Sequence, residues 1–329
     1  MRIAINGMGR IGRLLLRRLA GHPGIEIVAV NDVMTPANLL YLVKYDSVYG
    51  TFNSNLEIKG QTILIKDETI AIFQKEKPSQ LPWKELQIDI VLECSGKFTH
   101  KDEAEQHIRA GSRKVLLSTT GSDDIPLMIF GHNQSSLKPD IDIISPGGCM
   151  TNCSVHILYI LNAIGIESGH LNILHSYTSR QELVDAPHKD FRRGRAAAES
   201  IIPVEIDLHH SLERLMPGLM NKIAAVSTRV PVANGAMADI TVQLSSPASI
   251  EQINNLFRNA AQNEYSGILD FTIDPLVSID VRSNTHSCII DGSLTSIVGK
   301  QLKLIAWFDN EYGFTSRMID WILYWKRYL

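Results

Sequence analysis

The chain has 329 residues, 44 % hydrophobic and 20 % charged, with Gly 22 and Pro 13, a composition that excludes collagen-like, coiled-coil and largely disordered chains. At roughly 100 to 200 residues per domain it should hold two domains, each able to bury its own core without disulfide staples. Lys and Arg number 32 against 35 Asp and Glu, and a net charge of -3 gives no global basic field for a nucleic-acid backbone or an anionic membrane, so any anion site must be local.

Met1 to Asn6 enters an apolar strand at once, without a charged leader or cleavage site, and no run approaches the ~18 apolar residues of a membrane span. Four cysteines, Cys94, Cys149, Cys153 and Cys288, fit a reducing compartment, and the cytoplasm is the expected setting. Cys149-x-x-x-Cys153 lacks the spacing of a Cys-x-x-Cys zinc or redox site, so no metal is expected.

Arg2 to Asn6 reads as a buried strand, Arg10 to Ala20 as a helix with Ile11, Leu14, Leu15 and Leu19 on one face, and Glu26 to Val30 as the next strand, which completes one βαβ unit. Further strands are predicted at Ile88 to Leu92, Lys114 to Ser118 and Ile141 to Ile144, with a helix over Asp102 to Ala110. The pattern predicts a doubly wound parallel sheet. Pro146-Gly147-Gly148 then punctuates the chain before a helix over Thr151 to Leu161, and the domain boundary is placed there. Leu171 to His175 and Asp239 to Leu244 alternate as half-buried antiparallel strands do, so the second domain reads as α+β. Between them Thr178 to Ala198 is a long polar segment carrying Lys189, Arg192, Arg193 and Arg195, and connections of this length serve function or an interface.

Two motifs carry chemistry. Gly7-Met8-Gly9-Arg10-Ile11-Gly12 is a G-x-G-x-x-G that follows a strand and opens a helix, where the glycines permit a tight turn, close approach of a pyrophosphate, and helix-on-strand packing. Asp32, twenty residues past Gly12, stands where a carboxylate bonds the ribose hydroxyls of NAD and repels the extra phosphate of NADP. Cys149, in Gly147-Gly148-Cys149-Met150-Thr151-Asn152-Cys153, meets the positive end of a helix dipole and free N–H groups, which favour a thiolate and can hold an oxyanion. Cys149 is the candidate nucleophile, while Cys94, Cys153 and Cys288 are assigned to packing. His175, at the end of its strand, is the candidate base among 11 histidines.

The runs Asn6-Gly7-x-Gly9-Arg10-Ile11-Gly12-Arg13, Lys44-Tyr45-Asp46-Ser47, Cys149-x-Thr151-Asn152-Cys153, His175-Ser176-Tyr177-Thr178, Lys189-Asp190-Phe191-Arg192-Arg193-x-Arg195-Ala196-Ala197-Ala198, Ile201-Ile202-Pro203, Thr228-Arg229-Val230-Pro231 and Trp307-x-Asp309-Asn310-Glu311-Tyr312-Gly313 occur in one order. In these the chain resembles the glyceraldehyde-3-phosphate dehydrogenase family, erythrose-4-phosphate dehydrogenase included, over almost its whole length. The resemblance implies a Rossmann domain over 1–148, a catalytic domain over 149–315, an S-loop at about 178–200, and a C-terminal helix from residue 316 that packs back on the first domain. It also implies a homotetramer that takes a small-molecule aldose phosphate, with no nucleic acid or membrane as partner. Cys149 would attack the aldehyde, His175 would act as base, and hydride would pass to NAD. Gly9, Arg10, Ile11, Asp32, Ser95, Gly96, Ser118 and Asn310 would hold the cofactor. Thr178, Arg229 and Arg193 would bind phosphate.

Three departures bear on the reaction. Gly148 and Met150 stand where the family carries hydroxyl residues beside the nucleophile. Val204-Glu205-Ile206-Asp207-Leu208 replaces the family's phosphate loop with two carboxylates, as erythrose-4-phosphate dehydrogenases do. Arg180 adds a positive charge where the family is often neutral or acidic. Phosphorylating oxidation of glyceraldehyde 3-phosphate is the leading expectation, hydrolytic oxidation of erythrose 4-phosphate the alternative, and an NAD-binding protein with decayed catalysis the third.

Overall fold

The computed structural model describes residues 1–206 and 208–329. Asp207, within the divergent Val204 to Leu208 stretch, lies outside the described residues. The chain forms two compact units, Met1–Gly148 with Arg317–Leu329, and Cys149–Ser316.

The first unit runs β1 (Arg2–Asn6), α1 (Arg10–Leu19), β2 (Glu26–Asn31), α2 (Pro36–Lys44), β3 (Tyr45–Asp46), β4 (Gly50–Thr51), β5 (Leu56–Lys59), β6 (Thr62–Ile65), β7 (Glu68–Phe73), β8 (Ile90–Glu93), α3 (Lys101–Arg109), β9 (Lys114–Leu117) and β10 (Ile143–Ile144). Its main sheet has the order β10-β9-β8-β1-β2-β7-β6-β5, parallel from β10 to β7 and antiparallel beyond. Strand order reverses at β1, flanked by β2 and β8, and the crevice outside such a switch point is where open α/β sheets bind ligands. β1, β8 and β9 are almost wholly buried, which is why they read as continuous apolar runs. Helix α1 buries Leu14, Leu15, Leu16 and Leu19 and carries Arg17 and Arg18 in its last turn, where cations complement the helix dipole.

The second unit runs α4 (Cys149–Asn162), β11 (Ile166–Ser176), β12 (Ile202–Val204), α5 (Leu208–Leu215), β13 (Ile223–Val230), β14 (Ala236–Leu244), α6 (Ile250–Gln262), β15 (Leu269–Thr272), β16 (Cys288–Asp291), β17 (Ser296–Val298) and β18 (Gln301–Phe308), and α7 (Tyr312–Trp325) leads back into the first unit. The sheet order is β12-β13-β11-β14-β18-β16-β15, mainly antiparallel, with parallel pairs β11–β13 and β15–β16. β14 alternates buried and part-buried residues along its length, as a strand with one covered face must.

Several boundaries differ from those predicted, for local reasons. The strand expected at Ile88 to Leu92 begins at Ile90, because the Ile88 N–H turns back to the Trp83 carbonyl. The strand expected at Ile141 to Ile144 keeps only Ile143 and Ile144, since the Ile141 N–H closes a turn onto Lys138 and its carbonyl receives the Lys114 ammonium. The helix expected from Thr151 begins at Cys149. The C-terminal helix begins at Tyr312 rather than Ser316, because the buried Asp309 carboxylate accepts the N–H groups of Glu311 and Tyr312 and nucleates it earlier.

Candidate active site

The dinucleotide groove lies at the β1 switch point and is lined by Asn6, Gly7, Gly9, Asn31, Asp32 and Ser95 among others. Gly7 has φ +92, and a Cβ there would stand 2.3 Å from the Ser95 nitrogen. A Cβ on Gly12 would meet the Gly7 carbonyl oxygen at 2.1 Å. No side chain is therefore possible at either position, and the backbone is left open to a ligand. The N-terminus of α1 has no side-chain cap and no acidic residue in its first turn, so its N–H groups and dipole remain available to a pyrophosphate. A dinucleotide fits this donor set. Asp32 lies just past β2, and its carboxylate accepts the N–H groups of Met8 at 2.6 Å and Met34 at 3.0 Å. It thus braces the glycine turn as well as facing the groove.

The Arg10 side chain is engaged by the Asp46 carboxylate, with its guanidinium 2.6 Å away. Gly96, at φ +68, follows Ser95 in the loop after β8. Ser118 follows β9 and donates its N–H to the Glu93 carbonyl at 2.9 Å. Cys94, assigned to packing from the sequence, instead lines the groove, where burial pushes its thiol up and keeps it inert. Cys153 and Cys288 are fully buried in the second unit, in agreement with packing.

In the second unit, the first residue of α4 and the end of β11 bring Cys149 Sγ to 3.5 Å from His175 Nε2. His175 is buried, and its Nδ1 lies 2.7 Å from the Ser176 carbonyl oxygen. A carbonyl can only accept, so the ring hydrogen sits on Nδ1 and the Nε2 lone pair faces the sulfur. Burial, reinforced by the Arg229 charge, holds the imidazole down to about 3.

The residue Cys149 is half-buried, but its sulfur is enclosed. Burial pushes the thiol up to about 11, against the pull of Arg229 and of the Met150 and Cys149 N–H groups. This corrects the expectation of a favoured thiolate. Desolvation outweighs the helix terminus, and the resting pair is neutral thiol and neutral imidazole.

Arg229, opposite His175 in the β11–β13 register, is buried, and among the described residues its Nε has no hydrogen-bond partner. Burial first, then repulsion from Arg193 and Arg180, lowers it to about 10. Arg193 and Arg180 therefore lie within electrostatic reach of Arg229, which itself acts on the sulfur. Arg193 is partly engaged by Asp190 at 3.1 Å. Thr178 Oγ1 accepts the Arg180 N–H at 3.3 Å, which ties it to the same cluster. The Asn310 carbonyl oxygen accepts the Gly235 N–H at 2.9 Å and the Ser176 hydroxyl at 3.2 Å, which identifies the other side-chain atom as its amide donor. Sequence reasoning gave no role to Ser176, which links Asn310 to His175, or to Glu93 beneath the groove. Their only signals were adjacency to a motif and a carboxylate ending an apolar strand.

Among the described residues no helix is long and apolar enough to cross a membrane, and no group of three His, Cys, Asp or Glu side chains could hold a metal ion. The family model for the glyceraldehyde 3-phosphate dehydrogenase NAD binding domain matches residues 1–101, and that for the glyceraldehyde 3-phosphate dehydrogenase C-terminal domain matches residues 148–310. The chain belongs to the glyceraldehyde-3-phosphate dehydrogenase family and is an NAD-dependent dehydrogenase of aldehyde phosphates.

Proposed function

We propose that the chain oxidises glyceraldehyde 3-phosphate through a thioester on Cys149 and releases the acyl group to inorganic phosphate. The observation that carries the chemistry is the 3.5 Å approach of Cys149 Sγ to an imidazole whose Nε2 is held as an acceptor. The thiol proton passes to Nε2 as sulfur attacks the aldehyde carbon, and Nε2 returns it to the oxygen to give a hemithioacetal. When bound, NAD supplies the hydride acceptor. His175 takes the hemithioacetal hydroxyl proton as the carbon is oxidised to the thioester, and attack by phosphate then frees the sulfur. Asn310 offers its amide nitrogen to the cofactor's carboxamide. Arg229, Arg180 and Arg193, with Thr178, supply the positive field that a phosphorylated substrate and a second phosphate both require.

A homotetramer accounts for the exposed Leu183, Val184 and Phe191 of the polar 178–200 segment, since apolar side chains grouped on a surface mark an interface. A second reading, hydrolytic release of a four-carbon acid from erythrose 4-phosphate, draws on one observation. β12 runs through Val204 into exposed Glu205 and then α5 begins at Leu208, so a carboxylate and a helix occupy the stretch where the family's phosphate loop stands. Assays with each sugar phosphate, with and without phosphate, separate the two. The first reading expects turnover of the three-carbon substrate to saturate with added phosphate and to nearly cease without it. Equal rates in both conditions, with the four-carbon sugar preferred, would establish the second.

Replacing Arg229 by Ala should raise the KM for the sugar phosphate roughly 10- to 100-fold, the equivalent of one charge-assisted contact, with NAD affinity unchanged. Steady-state kinetics in each ligand checks this. Parallel loss in both ligands would show that Arg229 only supports the fold.

A further inference from the structure

Glu93, the last residue of β8, is a buried carboxylate that takes no part in the chemistry above. Its Oε1 accepts the Ser95 N–H at 2.8 Å and the Ser95 hydroxyl at 2.5 Å. Its Oε2 accepts the Asn6 amide at 2.5 Å and lies 2.9 Å from His107 Nε2. Trp83 Nε1 donates to His107 Nδ1 at 2.9 Å, which places the imidazole hydrogen on Nε2 and makes the ring a neutral donor. Asn6 in turn accepts from Asn31 at 2.7 Å, and Asn31 accepts the Lys75 N–H at 2.8 Å. The carboxylate is thus fully hydrogen-bonded by donors that need carry no charge, which is the condition for keeping it in the interior.

We propose that Glu93 is a positioning residue for NAD, acting through Asn6 and Ser95 without touching the cofactor. Asn6 immediately precedes Gly7, and the Gly7 turn lies hard against the backbone at Ser95, where no Cβ would fit. The two walls of the groove therefore meet in direct backbone contact at Gly7 and Ser95. One side chain grips both, with Asn6 on one oxygen and Ser95 on the other. Preorganisation of this kind lowers the ordering cost of binding. The inference rests on the family's NAD assignment and not on which sugar phosphate is oxidised.

NAD titration of the full-length protein by calorimetry, with Glu93→Gln and His107→Gln beside the unmodified chain, tests it. Glu93→Gln places an amide where an acceptor stood, so Asn6 or Ser95 loses its partner and the NAD dissociation constant should rise roughly 10- to 100-fold. The kcat at saturating NAD should stay within about threefold, since no group at the reacting atoms has moved. His107→Gln alters one donor on Oε2 and leaves the Asn6 and Ser95 contacts of the carboxylate in place. It should lower the melting temperature while NAD affinity stays within about threefold. Unchanged affinity in Glu93→Gln, or equal weakening in both variants, overturns the proposal. If Glu93→Gln does not fold, amide hydrogen exchange on the unmodified chain decides. Protection of the Ser95 N–H before NAD is added supports the role, and fast exchange until NAD binds refutes it.

Discussion

Replacing Cys149 by Ser is expected to lower aldehyde-dependent NADH formation by at least about 10^4-fold while leaving NAD affinity and folding intact. A serine hydroxyl can keep the contact with His175 Nε2, so the geometry survives and the chemistry does not. The imidazole is held down to about 3 and the thiol up to about 11, so proton transfer between them runs uphill unless sulfur is bonding to carbon at the same moment. A polarisable thiol tolerates that demand, and an alcohol, a far weaker acid, does not. The remaining thiols offer no substitute, because Cys153 and Cys288 are buried and burial holds the Cys94 thiol protonated in the dinucleotide groove. Rapid mixing of enzyme, NAD and aldehyde phosphate, read by NADH absorbance, gives the comparison. A burst within tenfold of the parent would place the nucleophile elsewhere.

The parallel sheet, its glycine turn and the nucleophile's helix were legible because their signals are local. β1, β8 and β9 are buried on both faces and so read as unbroken apolar runs, and G-x-G-x-x-G sits between a strand and a helix. The antiparallel ribbon β5–β6–β7 was not legible. Its strands are short and half-exposed, and its pairing to the rest of the sheet depends on β2, far upstream, where Ala29 meets Ala71. Helix α2 was missed although Thr35 and Pro36 announce its start, because its apolar stripe is weak and only Leu39 and Val43 are buried. Within the site, residue types and spacing pointed to Cys149 and His175, but not to the state of their protons. The helix terminus argued for a thiolate, and only the enclosed surroundings of the sulfur reveal that desolvation is larger. Glu93 and Ser176 act through partners distant in sequence, Asn6 at 87 residues and Asn310 at 134, and no local pattern encodes such pairs.

Replacing His175 by Asn should reduce kcat by about 10^2- to 10^4-fold, the usual worth of a positioned base, and should also change how the fold responds to acid. Between a folded value of about 3 and an unfolded value near 6.5, the unfolded chain binds the extra proton. Stability therefore rises with pH through this window and is lost as pH falls through it. At pH 5 the buried imidazole should cost the fold ~2 kcal/mol relative to neutral pH, a figure set by the unfolded value as long as the folded one stays below about 4. Asn carries no titrating proton, so the variant should be spared that part of the acid loss while other groups titrate alike in both proteins. Urea unfolding of parent and variant at pH 7 and pH 5 isolates the difference. If both lost the same stability on acidification, the imidazole would be taking up its proton as readily in the folded chain as in the unfolded one, and a base kept neutral by burial would have no place beside Cys149.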